Sequence, residues 1–337
     1  MSQRRIEVYH FQRKPRASGN FSLEFIFQDI RNRLAGQVQF KVILANHISN
    51  GFVKRLKNIW QAWKEQGPIN HVTGDIHYIT LLMAKRKTIL TILDCGFMNE
   101  KNPMKRWVFK WLWLKLPVQK STYITAISEM TKADIIKYTG CSENKIVVIP
   151  VAISELFIPS PRVFNESCPV LLQIGTAPNK NIERLVKSLE GLHCQLIIIG
   201  KLSEPQLNLL AQYQINFVNK LNLSQEEIIQ EYVNCDIVVF ASTLEGFGMP
   251  ILEANAIERP VLAGNNSSMP EVGGNAACYV DAFSEQSIRQ GIERIIDDEQ
   301  FRNQLLKNGR ENRKRFQADH IAGMYYDLYK RIDQDLN

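Results

Sequence analysis

The amino-acid sequence predicts an α/β fold of two doubly wound domains, each with a parallel sheet covered by helices on both faces. Apolar runs of strand length alternate with helical stretches along the chain. A Pro-rich segment at residues 157–169 separates two such series. In the second series, the apolar run 236–240 is followed by a Gly-Phe-Gly turn and then by Pro250, which suits the first turn of a helix. Ligands of α/β sheets usually bind at such strand–loop–helix junctions.

The first half begins with a βα unit. A strand near residues 5–11 leads into a polar, basic turn that contains Gly19, and a helix follows in which apolar residues up to Leu34 recur at helical spacing. Four more short apolar runs, separated by helical stretches, predict further buried strands at residues 38–45, 69–72, 88–93 and 122–126.

The second half repeats this pattern after the Pro-rich linker. Its strands are predicted near residues 170–174, 195–199, 215–218, 236–241, 261–263 and 277–280. We therefore expect an N-terminal domain over residues 1–155, a linker over 156–169, a second domain over 170–315 and a C-terminal helix over 316–337.

The chain has 337 residues, of which 45% are hydrophobic and 22% charged, a composition that is typical of globular proteins. No apolar run approaches the roughly 20 residues that a transmembrane helix needs, and no signal peptide is indicated. The six cysteines are scattered without a Cys-x2-Cys pair, which argues against a metal site or a disulfide framework. A cytoplasmic location is the expectation.

Charge is divided unevenly along the chain. Residues 1–150 contain 24 basic and 10 acidic residues, a net charge of +14, whereas residues 151–337 contain 17 and 24, a net charge of −7. This asymmetry predicts an anionic partner for the first half. No nucleic-acid-binding motif accompanies the charge, so a membrane surface or a lipid-phosphate acceptor is favoured.

The loop after the predicted strand 236–240 carries the chemistry of the second half. Glu245 and Glu253 are eight residues apart, and Gly246, Phe247 and Gly248 lie between them. The glycines allow a ligand close to the backbone, and the free amides of the following helix favour an anion. Each carboxylate can accept two hydroxyl hydrogen bonds, which suits a sugar and a ribose on either side of a diphosphate.

The string at residues 242–254 resembles the retaining GT-B glycosyltransferases of family 4, the group 1 glycosyltransferases. The resemblance spans about two hundred residues, and its matching strings lie at residues 127–134, 145–150, 175–181, 242–254, 259–263 and 267–274. It implies two Rossmann-like domains facing across a cleft, with the terminal helix crossing back to the first domain. It also implies that Glu245 lies at the donor sugar and that Glu253 binds the nucleotide ribose.

Lys180 is the predicted partner of the donor diphosphate. It follows Gly175, which ends the first strand of the second domain, and it precedes a helix expected to begin near Asn181. The ammonium group would add its charge to the amides of that helix. The family usually has an arginine in this loop; here Asn179 and Thr176 occupy those places, and Arg16, beside the predicted donor-binding Gly19, is the expected substitute.

In the first domain, Asp94 and His77 are the candidate catalytic residues. The family commonly has His-Asp at the end of a strand where this chain has Leu93-Asp94. Asp94 is expected to orient the acceptor. His77 follows another predicted strand end and is the nearest replacement for the missing histidine; the alternative is a structural histidine.

Residues 101–120 contain six basic residues, no acidic residue and several aromatic residues. Such a mixture suits the headgroup zone of an anionic bilayer. The predicted membrane contacts are Lys105, Arg106, Trp107, Lys110 and Trp111. The alternative is a helix that packs within the domain and has a solvated basic side.

These patterns together predict a retaining glycosyltransferase that moves a sugar from a nucleotide diphosphate sugar to a glycan acceptor, expected to be lipid-linked, in surface polysaccharide synthesis. We expect peripheral contact with the inner face of the plasma membrane, no cofactor and no metal, because no other carboxylate pair is placed to hold a cation. Neither domain's first strand is followed by Gly-x-Gly-x-x-Gly, which argues against a dehydrogenase. Nucleotide-sugar epimerisation and a non-catalytic, partner-binding homologue are the alternatives.

Overall fold

The computed structural model describes residues 4–14 and 22–336. These residues form two compact units, of which one contains the described residues up to Ala152 and those from Ala318 onward, and the other is Ile153–Gln317. Each unit is built on one six-stranded sheet whose strands all pair in parallel. The predicted α/β architecture with two parallel sheets is therefore confirmed.

The sheet of the first unit has the strand order β2-β1-β3-β4-β5-β6. Every residue of β3, β4 and β5 is buried, which explains why these strands appear in the sequence as short, mostly apolar runs. The strands are β1 Ile6–Gln12, β2 Val38–Leu44, β3 Ile69–Val72, β4 Thr88–Ile92, β5 Tyr123–Ala126 and β6 Ile146–Val148.

The helices that connect these strands are α1 Ser22–Leu34, α2 Phe52–Lys64, α3 Pro103–Phe109, α4 Leu116–Gln119 and α5 Glu129–Thr139. Asn102 starts α3, because its side chain accepts hydrogen bonds from the amides of Met104 and Lys105. A π-helical turn, Lys110–Lys115, continues α3 into α4, so that residues 103–119 form one helical stretch. None of the helices in the described ranges is both long and apolar enough to span a bilayer.

The sheet of the second unit has the order β12-β11-β10-β7-β8-β9. From its first strand, β7, the chain builds outward through β8 and β9 and then returns to the other side of β7 to form β10. The boundary between β7 and β10 is therefore a topological switch point, where open α/β sheets bind ligands. The strands are β7 Val170–Ile174, β8 Gln195–Ile199, β9 Phe217–Lys220, β10 Ile237–Phe240, β11 Val261–Gly264 and β12 Cys278–Val280.

Seven helices surround this sheet within the described residues: α6 Ile182–Ser188, α7 Glu204–Gln212, α8 Gln225–Asn234, α9 Met249–Ile257, α10 Met269–Gly273, α11 Glu285–Asp297 and α12 Glu299–Asn312. The segment predicted as a linker is anchored in this unit through the buried carboxylate of Asp236. That carboxylate accepts hydrogen bonds from Arg162 Nε at 3.1 Å, from the Asn165 amide at 3.2 Å and from the Val170 amide at 2.8 Å.

The last helix, α13 Ala318–Leu336, belongs to the first unit, although it follows the whole second unit in sequence. It packs on α1, β1 and β3. Its apolar face enters the core formed by β1, α1 and the start of β4, where Ile321, Tyr325 and Tyr329 are buried.

A chain of buried polar groups attaches α13 to the sheet. The Tyr329 hydroxyl lies 3.0 Å from His10 Nε2 and 2.8 Å from His71 Nδ1, and His71 Nε2 lies 2.7 Å from Thr91 Oγ1. Because the Arg31 guanidinium can only donate to His10 Nδ1, at 3.4 Å, His10 carries its proton on Nε2 and donates to Tyr329. Tyr329 then donates to His71, and His71 donates to Thr91.

Candidate functional site

The loop between β10 and α9 is braced from the neighbouring β11–α10 turn. Asn266 Nδ2 donates to the Thr243 carbonyl at 2.9 Å, and Ser268 Oγ donates to the Glu245 carbonyl at 3.0 Å. Gly248, just before α9, has a φ of 134° that other residues rarely adopt. Phe247 is buried edge-on against Phe316, with ring centroids 5.8 Å apart. These contacts fix the course of the loop, including the predicted donor-binding Gly246 and Gly248, at the switch point.

Lys180 and Glu245 meet at this edge of the sheet. Lys180 Nζ lies 2.7 Å from Glu245 Oε1, and only 20% and 16% of the two side chains are exposed. The lysine reaches the carboxylate by crossing the strand end at Gly175, where a Cβ would lie 3.1 Å from Lys180 Cε. Gly175 also has a φ of 86°, so both the close approach of Lys180 and the backbone conformation favour glycine here.

Asn179 holds the same carboxylate. Its side-chain amide donates to Glu245 Oε1 at 3.1 Å and to the Leu244 carbonyl at 3.0 Å. In sequence, Asn179 stands out only because the family usually has an arginine nearby. In the structure it is a second donor that orients Glu245, a role that its sequence position does not reveal.

Glu253, on α9, has a different environment. Its carboxylate accepts a hydrogen bond from the hydroxyl of Tyr232, a fully buried residue of α8. Burial raises the pKa of Glu253, while the bond from Tyr232 and the charge of Lys180 act in the opposite direction. The pKa of Tyr232 is raised well above its usual value by burial and by the neighbouring carboxylate. The sequence does not indicate Tyr232, because the spacing between residues 232 and 253 matches no pattern that would bring the two side chains together.

Residues 219–223 include the end of β9 and the start of the segment that follows it. Asn219 Nδ2 donates to the carbonyls of Ile198 at 2.9 Å and Gly200 at 2.8 Å, so this side chain ties β9 to β8. Lys220 pairs with Glu231 of α8 at 2.6 Å. Thr176, the other departure from the family pattern, donates to the Lys201 carbonyl at 2.7 Å.

The candidates of the first unit lie on separate local structures. Asp94 is exposed after β4, and its Oδ1 accepts a hydrogen bond from the Gly96 amide at 2.8 Å. His77 is buried, and its Nδ1 donates to the Trp113 carbonyl at 2.8 Å. Burial lowers the pKa of His77. This position is that of a structural histidine and argues against the predicted catalytic role. The predicted Gly19 and Arg16 lie outside the described residues.

The predicted membrane contacts lie on α3 and on the π-helical turn after it. Lys105, Arg106 and Trp107 are exposed, and Trp107 presents 62% of its surface. Lys110 and Trp111 are half-buried. The rings of Trp107 and Trp111 are 6.2 Å apart. Within residues 4–14 and 22–336, no three His, Cys, Asp or Glu side chains cluster as metal ligands would.

Comparison with known sequences identifies the family. Residues 157–312, which include the Lys180–Glu245 pair and the Tyr232–Glu253 pair, match the family described as glycosyl transferases group 1. Residues 157–312 therefore form a group 1 glycosyltransferase domain. The predicted resemblance is therefore confirmed.

Two relatives of this chain are named as sugar transferases. The serotype-specific mannosyltransferase WbdA of Escherichia coli is 26% identical over 242 residues, which are 64% of this chain but only 29% of WbdA. The N,N'-diacetylbacillosaminyl-diphospho-undecaprenol alpha-1,3-N-acetylgalactosaminyltransferase of Campylobacter jejuni is 25% identical over 261 residues, which are 71% of this chain and 67% of that enzyme.

Among solved structures, Anabaena HepE in complex with UDP and glucose is similar to this chain, with a TM-score of 0.77. The sequence identity is 14%, and the match covers 97% of this chain and all of the HepE chain (100%). At this identity the likeness shows the fold alone, and it confirms the predicted GT-B fold.

Proposed function

We propose that this group 1 glycosyltransferase transfers a sugar from a nucleotide diphosphate sugar to a hydroxyl group of a glycan acceptor, with retention of anomeric configuration. One observation carries the proposal: Lys180 and Glu245 pair at 2.7 Å at the switch point of the second sheet, and Glu253 follows on α9. A cation and two hydrogen-bond-accepting carboxylates at one sheet edge suit a ligand in which a diphosphate joins a sugar to a ribose. The complex of HepE with UDP and glucose supports a donor of this kind.

Each group in the site has a proposed role toward the donor. Glu253 accepts hydrogen bonds from the ribose hydroxyls, and Glu245 accepts them from the transferred sugar. Lys180 exchanges part of its contact with Glu245 for the diphosphate when the donor binds. Gly175, Gly246 and Gly248, with the buried Phe247 between the last two, allow the donor close to the backbone.

The reaction proposed is a front-face transfer. The bond between the anomeric carbon and the leaving phosphate oxygen breaks, and the acceptor oxygen bonds to the same face of the sugar. The departing phosphate takes the proton of the acceptor hydroxyl, so no protein nucleophile is required. Lys180 and the amides of α9 stabilise the negative charge of the leaving diphosphate, and Asp94 orients the acceptor. These groups supply the positive charge, and we propose that no divalent cation is needed.

The acceptor is proposed to be a lipid-linked glycan of surface polysaccharide synthesis, used at the cytoplasmic face of an anionic membrane. The lipid diphosphate in the name of the Campylobacter jejuni relative supports such an acceptor. The net charge of +14 on residues 1–150 and the exposed Lys105, Arg106 and Trp107 on α3 support attraction to an anionic surface.

The test has two stages. Thermal shift against a panel of nucleoside diphosphates identifies the base, because a ligand at about 100 times its dissociation constant stabilises by about 2.7 kcal/mol. The matching nucleotide sugars are then incubated with lipid-linked acceptors, and the anomeric configuration of the product is read by NMR.

We expect a retained anomer, and Glu245→Gln serves as the low-turnover control. An inverted product would contradict the front-face route. A donor isomerised without acceptor would indicate epimerisation, and nucleotide binding without transfer would favour a non-catalytic homologue.

A further inference from the structure

Helix α2, Phe52–Lys64, exposes a row of large apolar side chains. These are Phe52, Val53, Leu56, Trp60 and Trp63, each between 48% and 71% exposed. At 100° per residue, the five side chains fall within an arc of about 100°. A single stripe of this kind on a surface helix is a binding face rather than scattered exposure.

The stripe is held outward because the adjoining face of α2 is fixed in the unit. Asn58, Ile59 and Ala62 are buried. Asn58 Nδ2 donates to the His47 carbonyl at 2.8 Å and to the Tyr78 hydroxyl at 3.1 Å. Rotating the helix to cover the stripe would break these buried hydrogen bonds, so the apolar face stays in contact with whatever surrounds the protein.

Three lysines lie along the edge of the stripe. Lys54, Lys57 and Lys64 are exposed, and they occupy the arc between the apolar stripe and the far end of the buried face. Lys64 Nζ lies 3.6 Å from the centre of the Trp60 ring. The helix contains no acidic residue. A stripe of Phe, Leu and Trp beside a row of lysines is the pattern of helices that lie in the plane of a membrane interface.

We propose that α2 is the principal membrane-binding element of this protein, and that its apolar stripe inserts into the headgroup region of an anionic bilayer. The inference rests on the proposed membrane-side function and deepens it, because it assigns the apolar contact to α2 rather than to residues 101–120. The two elements are neighbours: the Arg55 guanidinium lies 4.5 Å from the Trp113 ring centre.

A bilayer fits this face better than a second copy of the chain does. In a symmetric dimer the same patch meets itself, and if the two copies of α2 pair antiparallel, the lysines beside the stripe face the same lysines of the other copy. Residues 1–150 also carry a net charge of +14, which repels a second copy and attracts anionic lipid.

The experiment is co-sedimentation of the full chain with vesicles of phosphatidylcholine, alone or mixed with phosphatidylglycerol. We expect binding only to the mixed vesicles. Changing Phe52→Ser, Leu56→Ser and Trp60→Ser together should lower the vesicle partition coefficient at least roughly tenfold. Changing Lys54→Ser, Lys57→Ser and Lys64→Ser together should lower it roughly a hundredfold, at about a factor of five for each charge removed.

Two matched variants make the comparison specific. Val163→Ser with Leu207→Ser and Phe283→Ser removes three exposed apolar residues of the second unit and should leave partition unchanged. Met104→Ser with Trp107→Ser tests α3 and should have a smaller effect than the α2 variants. Unaltered hydrogen-exchange protection of the β1 and β3 amides in each α2 and α3 variant shows that the first unit is still folded.

The outcomes separate this inference from the function on which it rests. If α2 variants bind like wild type while the α3 variant does not, the α2 assignment fails and the membrane-side function stands. If the wild type binds neither vesicle, both fail. If size-exclusion chromatography shows a dimer that the apolar α2 variant converts to a monomer, without lipid dependence, the face is an interface between copies and the inference is wrong.

Discussion

At the scale of single residues, the two glutamates of the donor-site loop differ in what holds them. The Glu245 carboxylate accepts hydrogen bonds from the Lys180 ammonium group and from the Asn179 side-chain amide. Glu253 receives one phenol hydroxyl, from Tyr232, and its pKa is raised by burial. A carboxylate that is partly desolvated and held by one neutral donor keeps hydrogen-bonding capacity for a ligand. The two residues should therefore respond differently to substitution.

Replacing Glu253 by Gln should stabilise the protein and weaken nucleotide binding. The raised pKa means that the folded protein disfavours the ionised carboxyl group, so removing that charge raises the free energy of unfolding at neutral and higher pH. The gain should shrink as the pH falls through the folded pKa of Glu253 toward about 4.3, the ordinary value. Calorimetry should show at least roughly tenfold weaker nucleoside diphosphate binding. If Glu253→Gln is less stable than the wild type, the buried charge does not destabilise the protein. If it binds nucleoside diphosphate normally, Glu253 does not bind the ribose.

Replacing Lys180 by Ala should lower turnover more than it lowers nucleotide affinity. If the ammonium group stabilises the leaving diphosphate, its loss should cost roughly 2–4 kcal/mol of transition-state stabilisation. Glu245→Gln, which keeps the shape of the side chain, should spare nucleotide binding and depress kcat. Steady-state kinetics and calorimetry on both variants check this. Normal kcat in Lys180→Ala would remove the lysine from the mechanism.

At the scale of elements, the hydroxyl group of Tyr329 joins α13 to β1 and β3. Tyr329→Phe leaves His10 Nε2 and His71 Nδ1 without that partner, and we expect a loss of roughly 1–3 kcal/mol in the first unit. Native-state hydrogen exchange of the β1 and β3 amides measures it locally. Tyr326→Phe, on the same helix but half-buried, is the control and should have little effect. Equal protection in both variants would show that packing alone holds α13.

The same network should make the first unit sensitive to acid. Burial lowers the pKa of His71 to about 3 and that of His10 well below its usual value. Below about pH 6.5 the unfolded chain binds protons that these folded histidines do not, so stability should fall with pH from that point. The protection factors of the β1 and β3 amides, which correct for the intrinsic pH dependence of exchange, should fall between pH 7 and pH 5. Unchanged protection over that range would contradict the neutral, buried state of both rings.

Most strands could be predicted from apolar runs, because a strand that is buried on both faces of a sheet consists mostly of consecutive apolar residues. Strand β6 was missed, since it has only three residues at the sheet edge. Strand β9 begins two residues later than predicted, because the Ile215 amide donates to the Leu210 carbonyl and closes α7 instead. In the site, residue types and spacing indicated Glu245, Glu253 and Lys180. The contacts from Asn179 and Tyr232 depend on distant segments meeting in space, which local patterns do not encode.

At the scale of the whole molecule, charge and chemistry are divided between the two halves of the sequence. The basic half carries the surfaces proposed for the membrane, and the acidic half carries the lysine proposed for the diphosphate. Because the half that contains the donor site has a net charge of −7, the partly buried Lys180 and the α9 amides are the proposed counter-charges for the leaving group. The positive charge proposed for catalysis therefore comes from groups within the donor site and not from the net charge of the half that contains it.

Transfer should accordingly proceed without a divalent cation. We expect EDTA to leave the initial rate unchanged with a nucleotide sugar donor, because Lys180 and the α9 amides supply the positive charge. The rate is measured after exhaustive chelation and again after adding Mg²⁺ or Mn²⁺. Activity that disappears with EDTA and returns with either ion would contradict the proposal.

The position of α13 in the chain also sets an order of events during synthesis. The second unit, Ile153–Gln317, is one uninterrupted stretch, whereas the core of the first unit includes residues that the ribosome makes after the whole second unit. A nascent chain that has reached residue 317 can complete its second unit, while β1 and β3 still lack the helix that covers them. The larger part of the first unit is thus made early, and part of its apolar surface stays uncovered until α13 packs against it.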